Sequence, residues 1–257
     1  MLSAKAILRK LAVAFYHGVR SLGRYAIFMR DFVHFRALSR SSNNRLPIRW
    51  SDRLPCLNDK SSTTPINRHY IFHTAWAART LNKIHPSKHV DCSSLLYFNV
   101  ITSAFIPIDF YDFRPAKLDL PGLHSYQADL LDLPFADSSI ESLSCLHVLE
   151  HIGLGRYGDS LDPAGDLKAI SELKRVLADK GHLLIAVPVG SAKVMFNGQR
   201  IYSYDQVIDF FNPLRLVESL LIPDNARDGN LVPISDGSLA DKQQYGCGCF
   251  WFQKGSQ

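Results

Sequence analysis

The strongest pattern of apolar and polar positions lies between Gln127 and Gly190. An apolar run from Ile140 to Leu149 is followed by a glycine-rich loop and an amphipathic stretch over 163–178. Gly181 then opens a second apolar run that ends at Pro188. Strand, polar loop, helix and strand make one crossover unit of a parallel sheet. Ligands bind such sheets at the carboxyl ends of the strands, which is where Glu150 and His151 fall. Around this unit the pattern predicts a helix over 67–84, with Ile71, Ala75, Ala78 and Leu81 on one side. A first strand and turn are predicted over 88–95, a short helix over 99–105, and a second strand over 106–115 stopped by Pro115. A short strand is expected near 124–129 within a loop. Residues 203–213 read as a helix ended by Pro213, and 214–223 with 244–254 as a closing antiparallel pair. If residues 140–150 are one strand, His147 and Glu150 point to opposite faces and do not pair.

These elements amount to an α/β fold: a mostly parallel central sheet, an antiparallel closing strand and an N-terminal helical arm. Residues 3–36 carry Ile7, Leu8, Leu11, Phe15, Val19, Leu22, Ala26, Met29 and Val33 at near-helical spacing. Charge sharpens the division. Of 257 residues with a net charge of +5, residues 1–49 hold ten Lys or Arg against Asp31 alone, leaving the body mildly acidic. The expected organisation is a basic amphipathic arm over 1–45 and one α/β domain over 46–257, with the Ser-, Asn- and Pro-rich stretch 41–66 at the junction. A basic helix bearing Phe15, Tyr16, Tyr25, Phe28, Phe32 and Phe35 suits an anionic membrane surface. Packing on the body, or dimerisation, is the alternative. No run of 18 uncharged apolar residues exists, so no membrane-spanning helix is expected. No nucleic-acid reader motif accompanies the charge, and nucleic acid is not an expected partner.

Five cysteines, Cys56, Cys92, Cys145, Cys247 and Cys249, form no disulfide framework by spacing and suit a reducing cytoplasm. No CxxC or paired metal-ligand spacing is present, so no metal site is expected. A cysteine grouped with His147 is the one alternative.

Three segments, "DLPFADSSIESL", "LHVLEH" and "ELKRVLADKGHLLIAVP", resemble the second half of class I S-adenosylmethionine-dependent methyltransferases. More narrowly, "LHVLEHIGLGRYGD", "RIYSY" and "YGCGCFWF" resemble an uncharacterised methyltransferase-like domain of unknown function, whose members occur among bacterial surface-glycan genes. The resemblance spans roughly 45–254 and is strongest over 126–190. It implies a Rossmann-like fold, S-adenosylmethionine as cofactor, and a sugar or glycan precursor as acceptor. The implied setting is the cytoplasm, with contact to the inner membrane. A non-catalytic binding or scaffolding relative is the alternative. Carried over residue by residue, the resemblance places Asp91, Ser93 and Ser94 at the turn after the first strand. Asp112, or Asp109 in the other register, falls at the ribose-binding acid, and Asp129 with Leu130 beside the adenine. The family's glycine-rich turn is here "DCSSLLYFN", with no glycine between His85 and Leu120.

"GLGRYG", with Gly153, Gly155 and Gly158, matches the spacing of a dinucleotide fingerprint. It does not open a helix directly after a strand, so it reads as a loop over substrate. For methyl transfer to a hydroxyl, His151 is the expected general base, because imidazole titrates near neutral pH. Glu150 is expected to orient His151 or contact cofactor, with Asp159 as a reserve base. Arg156 and Tyr157 are expected at a sugar or acidic group. Asn197 and Arg200, after the fifth strand, are expected at substrate.

Overall fold

The computed structural model describes residues 4–41 and 46–256, with side chains described for 21–40 and 46–256. The expected apolar positions Ile7, Leu8, Leu11, Phe15, Tyr16 and Val19 therefore lie outside the described side chains, and linker residues 42–45 lie outside the described chain. Two compact units form, Met1–Pro65 and Ile66–Gln257. In the first, helix α1 (Ala4–Ser41) is followed by an extended segment that returns along it. Trp50 packs its ring edge-on to Phe32 with centroids 4.9 Å apart, Arg24 bonds Asn58, and Lys60 pairs with Asp31 at 3.0 Å. No helix among the described residues is long and apolar enough to cross a membrane.

The second unit is built on an eight-stranded sheet. Its elements in chain order are α2 (Arg68–Ile84), β1 (His89–Cys92), α3 (Leu96–Thr102), β2 (Ile108–Asp112), β3 (Leu123–Gln127) and β4 (Ile140–Leu146). Then follow α4 (Gly165–Val176), β5 (Leu177–Val189), β6 (Lys193–Met195), β7 (Gln199–Ile201), α5 (Tyr204–Phe211) and β8 (Arg215–Ile222). Last come β9 (Val232–Pro233), α6 (Ser238–Asp241) and β10 (Gly246–Gln253). The sheet order is β3-β2-β1-β4-β5-β10-β8-β9, with β6 and β7 forming a separate hairpin. Strands β1 to β5 pair in parallel, and β10 inserts antiparallel between β5 and β8. This is the expected mostly parallel sheet with an antiparallel closing strand.

Alternation along the central strands divides the core in two. Leu183, Ile185, Val187 and Val189 of β5 join Phe250 and Phe252 of β10 under α4 and α5. Leu184 and Ala186 face the other way, with Cys247 and Cys249, under Trp76, Ala77 and Leu81 of α2. Both faces of the sheet are thus covered, which is why Leu183–Val189 of β5 and Cys247–Phe252 of β10 are apolar at nearly every position rather than at alternate ones. All five cysteines are free.

A buried polar chain ties β1 to β4 beneath the carboxyl edge. Fully buried His89 has Nδ1 2.8 Å from Ser142 Oγ and Nε2 2.8 Å from Ser144 Oγ, and Ser144 Oγ contacts the Asp91 carboxylate. Donor counting sets its direction. A hydroxyl that donates to a carboxylate must accept from Nε2–H, and in the neutral ring Nδ1 then accepts from Ser142. Burial pushes the His89 pKa down to about 3.

Candidate functional site

The loops leaving β1, β2, β3 and β4 surround a cavity of about 500 Å³, within the range typical of small-molecule and cofactor sites. At the first loop, Asp91 is fully buried. Its carboxylate accepts from Ser94 N–H (3.1 Å) and Asn99 Nδ2 (2.9 Å) besides Ser144, and burial raises its pKa. Asp91 shapes the turn and does not line the cavity; Ser93 and Ser94 do. Ser93 has φ +60° and donates its backbone N–H to Tyr111 O at 2.8 Å. The left-handed conformation that glycine adopts without strain is present here on serine, at a penalty of about 1 kcal/mol. Ser94 Oγ accepts the Leu146 N–H at 2.8 Å, joining the turn to the end of β4.

The two candidate second-strand acids differ in burial. Asp109 is buried and paired with Lys88 and, at 3.6 Å, with His124. Asp112, at the carboxyl end of β2, lines the cavity and accepts the Arg114 N–H at 2.7 Å through Oδ1. Among the described residues no hydrogen bond engages its Oδ2. Asp129 is exposed at the cavity rim, with the Leu131 N–H on Oδ1 at 2.9 Å, and buried Leu130 forms an apolar wall beside it. A left-handed serine turn, an aspartate with one oxygen uncommitted, and an acid beside an apolar wall fit the groups implied for S-adenosylmethionine.

Beyond β4 the chain departs from expectation. The strand ends at Leu146, His147 takes φ +64°, and Leu149–His151 form a 3-10 turn. This turn swings His147 and Glu150 onto one side, and His147 Nδ1 contacts the Glu150 carboxylate, so the expected separation of the two does not occur. Glu150 is fully buried and does not line the cavity. Burial opposes its charge, but His147 keeps the carboxyl below its ordinary range. For His147 burial acts downward, yet Glu150 and Cys247 hold its pKa up to about 10.

His151 lines the cavity, with Nδ1 2.7 Å from Gly198 O and Nε2 3.7 Å from Glu150 Oε1. The carbonyl can only accept, so Nδ1 carries the proton and Nε2 presents a lone pair. Burial lowers its pKa, which keeps the ring neutral and able to take a proton. The glycine loop is closed by Asp159, whose carboxylate accepts from Gly153 N–H (2.7 Å), Gly155 N–H (3.3 Å) and Tyr157 N–H (3.2 Å). Burial acts upward on Asp159, but those three donors hold its pKa low. It organises the loop through these three bonds. At Gly153 a Cβ would lie 2.1 Å from Asp162 O, which requires glycine.

The substrate-side residues separate into three groups. Tyr157 lines the cavity, its ring flanked by the guanidinium groups of Arg114 (5.0 Å) and Arg156 (5.1 Å). Arg156 is exposed and donates to Gly198 O at 3.2 Å. Asn197 is exposed in the β6–β7 turn and does not line the cavity. Arg200, expected at substrate, is instead buried. Its guanidinium bonds the carbonyls of Ile152 (2.6 Å), Asp162 (3.3 Å) and Pro163 (3.2 Å) and lies 3.5 Å from Asp166. It staples the glycine loop to the start of α4. Two residues the sequence did not flag complete the site: Tyr70 of α2 lines the cavity, and His69 stands behind His147 together with Cys247, a cysteine of the expected Cys–His147 alternative. The available signal was the HxxxH spacing of His69 and His73 on α2, which puts two imidazoles on one helix face.

A family profile described as Caenorhabditis protein of unknown function, DUF268, matches residues 135–218, the stretch that contains β4, the glycine loop, α4 and β5. An uncharacterized protein of Methanocaldococcus jannaschii is 35% identical over 60 residues, a match spanning 23% of this chain and 21% of that protein's length. Among solved structures, a chain of the Haloferax volcanii complex between the Trm112 methyltransferase activator and its candidate methyltransferase is similar, at 17% identity. The similarity covers 74% of this chain and 91% of that chain, with a TM-score of 0.51. The N-methyltransferase NodS of Bradyrhizobium japonicum, in complex with S-adenosyl-L-homocysteine, is 14% identical over 78% of this chain and 91% of its own, with a TM-score of 0.47. With its sheet order, its antiparallel inserted strand and helices on both faces, this chain has the Rossmann-like fold of class I methyltransferases.

Proposed function

We propose that the second unit binds S-adenosylmethionine in the cavity and methylates a hydroxyl acceptor, with a sugar or surface-glycan precursor as the acceptor class. One observation carries this reading: Asp112 stands at the carboxyl end of β2, facing the cavity beside the left-handed Ser93 turn, with Oδ2 uncommitted. The bound cofactor supplies an electrophilic methyl group on a sulfonium. Asp112 accepts from the ribose hydroxyls, Leu130 packs the adenine and Asp129 accepts from its amine. His151 Nε2 takes the proton of the acceptor hydroxyl, while Gly198 O fixes the ring through Nδ1 and the Glu150 carboxylate 3.7 Å away stabilises the resulting charge. Holding the reactants in register supplies most of the acceleration in such a displacement. Tyr157, between its two arginines, forms the acceptor side of the mouth. The acceptor class rests on the resemblance of "LHVLEHIGLGRYGD" and "YGCGCFWF", and the anionic-membrane role of residues 1–40 rests on the basic and aromatic pattern of the arm.

Thermal unfolding with S-adenosylmethionine tests this. At about 100 times Kd the ligand adds roughly 2.7 kcal/mol and raises Tm by several degrees. Asp112→Ala should remove the shift, whereas His151→Ala should keep the shift and lose methyl transfer. Loss of the shift in both, or in neither, overturns these roles. A wild-type shift without transfer to any glycan acceptor supports a binding protein instead.

A further inference from the structure

Behind the cavity wall, three segments distant in sequence bring metal-ligating side chains to one buried spot. α2 contributes His69, the turn after β4 contributes His147 and β10 contributes Cys247. One ligating atom of each lies within 4.8 Å of the others, and all three residues are buried. We propose that His69 Nδ1, His147 Nε2 and Cys247 Sγ form a site for one divalent transition-metal ion of the zinc class.

The donor set selects the ion. Two imidazole nitrogens and a thiolate suit zinc or cobalt, and they do not suit magnesium or calcium, which take oxygen ligands. The spacing also suits it. Ligand atoms around a tetrahedral zinc, with bonds of about 2.0–2.3 Å, stand roughly 3.3–3.7 Å apart. His69 Nδ1 and His147 Nε2 share a hydrogen bond at 3.0 Å, which the ion would replace after a separation of a few tenths of an ångström.

One further feature suits a bound cation. The Glu150 carboxylate contacts His147 Nδ1 from behind while Nε2 faces His69 Nδ1, so an ion would take the place of the Nε2 proton, with a carboxylate behind the ring as in zinc centres. His73, one turn along α2 from His69 and fully buried, has neither ring nitrogen hydrogen-bonded, and its ring centre is 5.6 Å from that of His147. His73 lies outside the ligand group, so its two unpartnered nitrogens are a cost of burial that the ion does not relieve. A second grouping, His147, Glu150 and His151, is less suitable. There His147 Nδ1 and the carboxylate are already in direct contact, with no gap for an ion between them.

Cys247 gives up its thiol proton to solvent on binding, as metal-bound cysteines do. Three protein ligands leave a tetrahedral ion one further position. His147 and Tyr70 line the cavity, so the ion would stand in its wall, where that position suits a water or an acceptor oxygen. The site does not depend on the methyltransferase reading and persists if S-adenosylmethionine does not bind.

Titration of the full chain, stripped with chelator, with Co2+ provides the test. One equivalent should bind, with a thiolate-to-cobalt charge-transfer band and the strong visible bands of a tetrahedral ion, and Zn2+ should displace it. Cys247→Ser should abolish the charge-transfer band, while Cys249→Ser, two residues along the same strand face, should leave it intact. Glu150→Gln should weaken binding about 10–100-fold with the band retained. Circular dichroism in chelator establishes that each variant is folded. Absence of stoichiometric uptake by the wild type overturns the proposal without recourse to any variant. Uptake without a charge-transfer band, or a band that survives Cys247→Ser, overturns it as well.

Discussion

The two halves of the sheet's carboxyl edge handle polarity in opposite ways. On the β1–β3 side the turn-forming groups are buried and hydrogen-bonded, while the acids that face the cavity, Asp112 and Asp129, remain partly or fully exposed. On the β4–β10 side the ionisable groups themselves are buried: His69, His73, His147, Glu150 and Cys247, several with polar atoms lacking hydrogen-bond partners. The first side resembles a receptor whose ligand replaces water at exposed oxygens. The second is a charged cluster held together by surrounding packing, and desolvation makes each unpartnered atom in it costly. An exposed carboxylate can be removed with little effect on stability, so its loss reports on binding. A buried one cannot, so its loss reports first on folding.

The sharpest way to break this contrast is at Ser144, which underlies the β1–β3 side. Ser144→Ala removes a donor to the buried Asp91 carboxylate and the acceptor of His89 Nε2–H in one step. A lowered urea midpoint equivalent to about 3 kcal/mol is expected, because two buried polar groups lose a partner and one of them is a carboxyl. Asp112→Ala, by comparison, should fall within about 0.5 kcal/mol of the wild type. A mild effect at Ser144 would mean that Asp91 is held by Ser94 and Asn99 alone, and the tie between β1 and β4 would lose its importance.

The pH response of His89 gives the next largest effect. Its folded pKa, about 3, lies below the ordinary 6.5, so the unfolded chain takes up the proton first as pH falls. The stability of the neutral state is fully present above 6.5 and declines below it, by about 2 kcal/mol at pH 5. His89→Gln can bridge Ser142 and Ser144 without titrating. The difference in urea midpoint between pH 7.5 and pH 5 should therefore shrink in that variant by about this amount. Equal pH slopes for variant and wild type would mean that the relay is not a closed neutral chain.

How much of this arrangement is written locally in the sequence follows the same division. β4, β5 and α4 are legible because both faces of the strands are covered, leaving long apolar runs with a periodic helix between them. Asp112 and Asp129 are legible as cavity-lining positions because each belongs to a turn near a strand end, where sequence neighbours are also spatial neighbours, and Tyr157 because the glycine loop that carries it is marked by Gly153, Gly155 and Gly158. The buried cluster is not. His69, His147 and Cys247 meet only through the packing of α2 and β10 on the sheet, and strand alternation misplaces His147 because the left-handed residue breaks the period before Glu150. Arg200 misleads for a related reason. A polar residue after a strand end looks like a substrate contact until tertiary packing supplies three carbonyls for its guanidinium.

The smallest expected effect separates backbone shape from side-chain chemistry at the missing glycine. Ser93 has φ +60°, and its hydroxyl makes only a 3.3 Å bond to Tyr111 O, whereas neighbouring Ser94 accepts a buried N–H from Leu146. Ser93→Gly relieves about 1 kcal/mol of left-handed strain, and the greater freedom of glycine in the unfolded chain takes back a similar amount. Its urea midpoint should stay within about 0.5 kcal/mol of the wild type, with cofactor-induced stabilisation unchanged. Ser93→Val replaces the hydroxyl with two methyl groups, putting a β-branched residue at positive φ, and should cost about 1–2 kcal/mol. If glycine destabilises as much as valine does, the hydroxyl of Ser93 rather than the shape of its backbone is what this turn requires. The serine sequence would then be a different way of building the site, and not a glycine turn kept under strain.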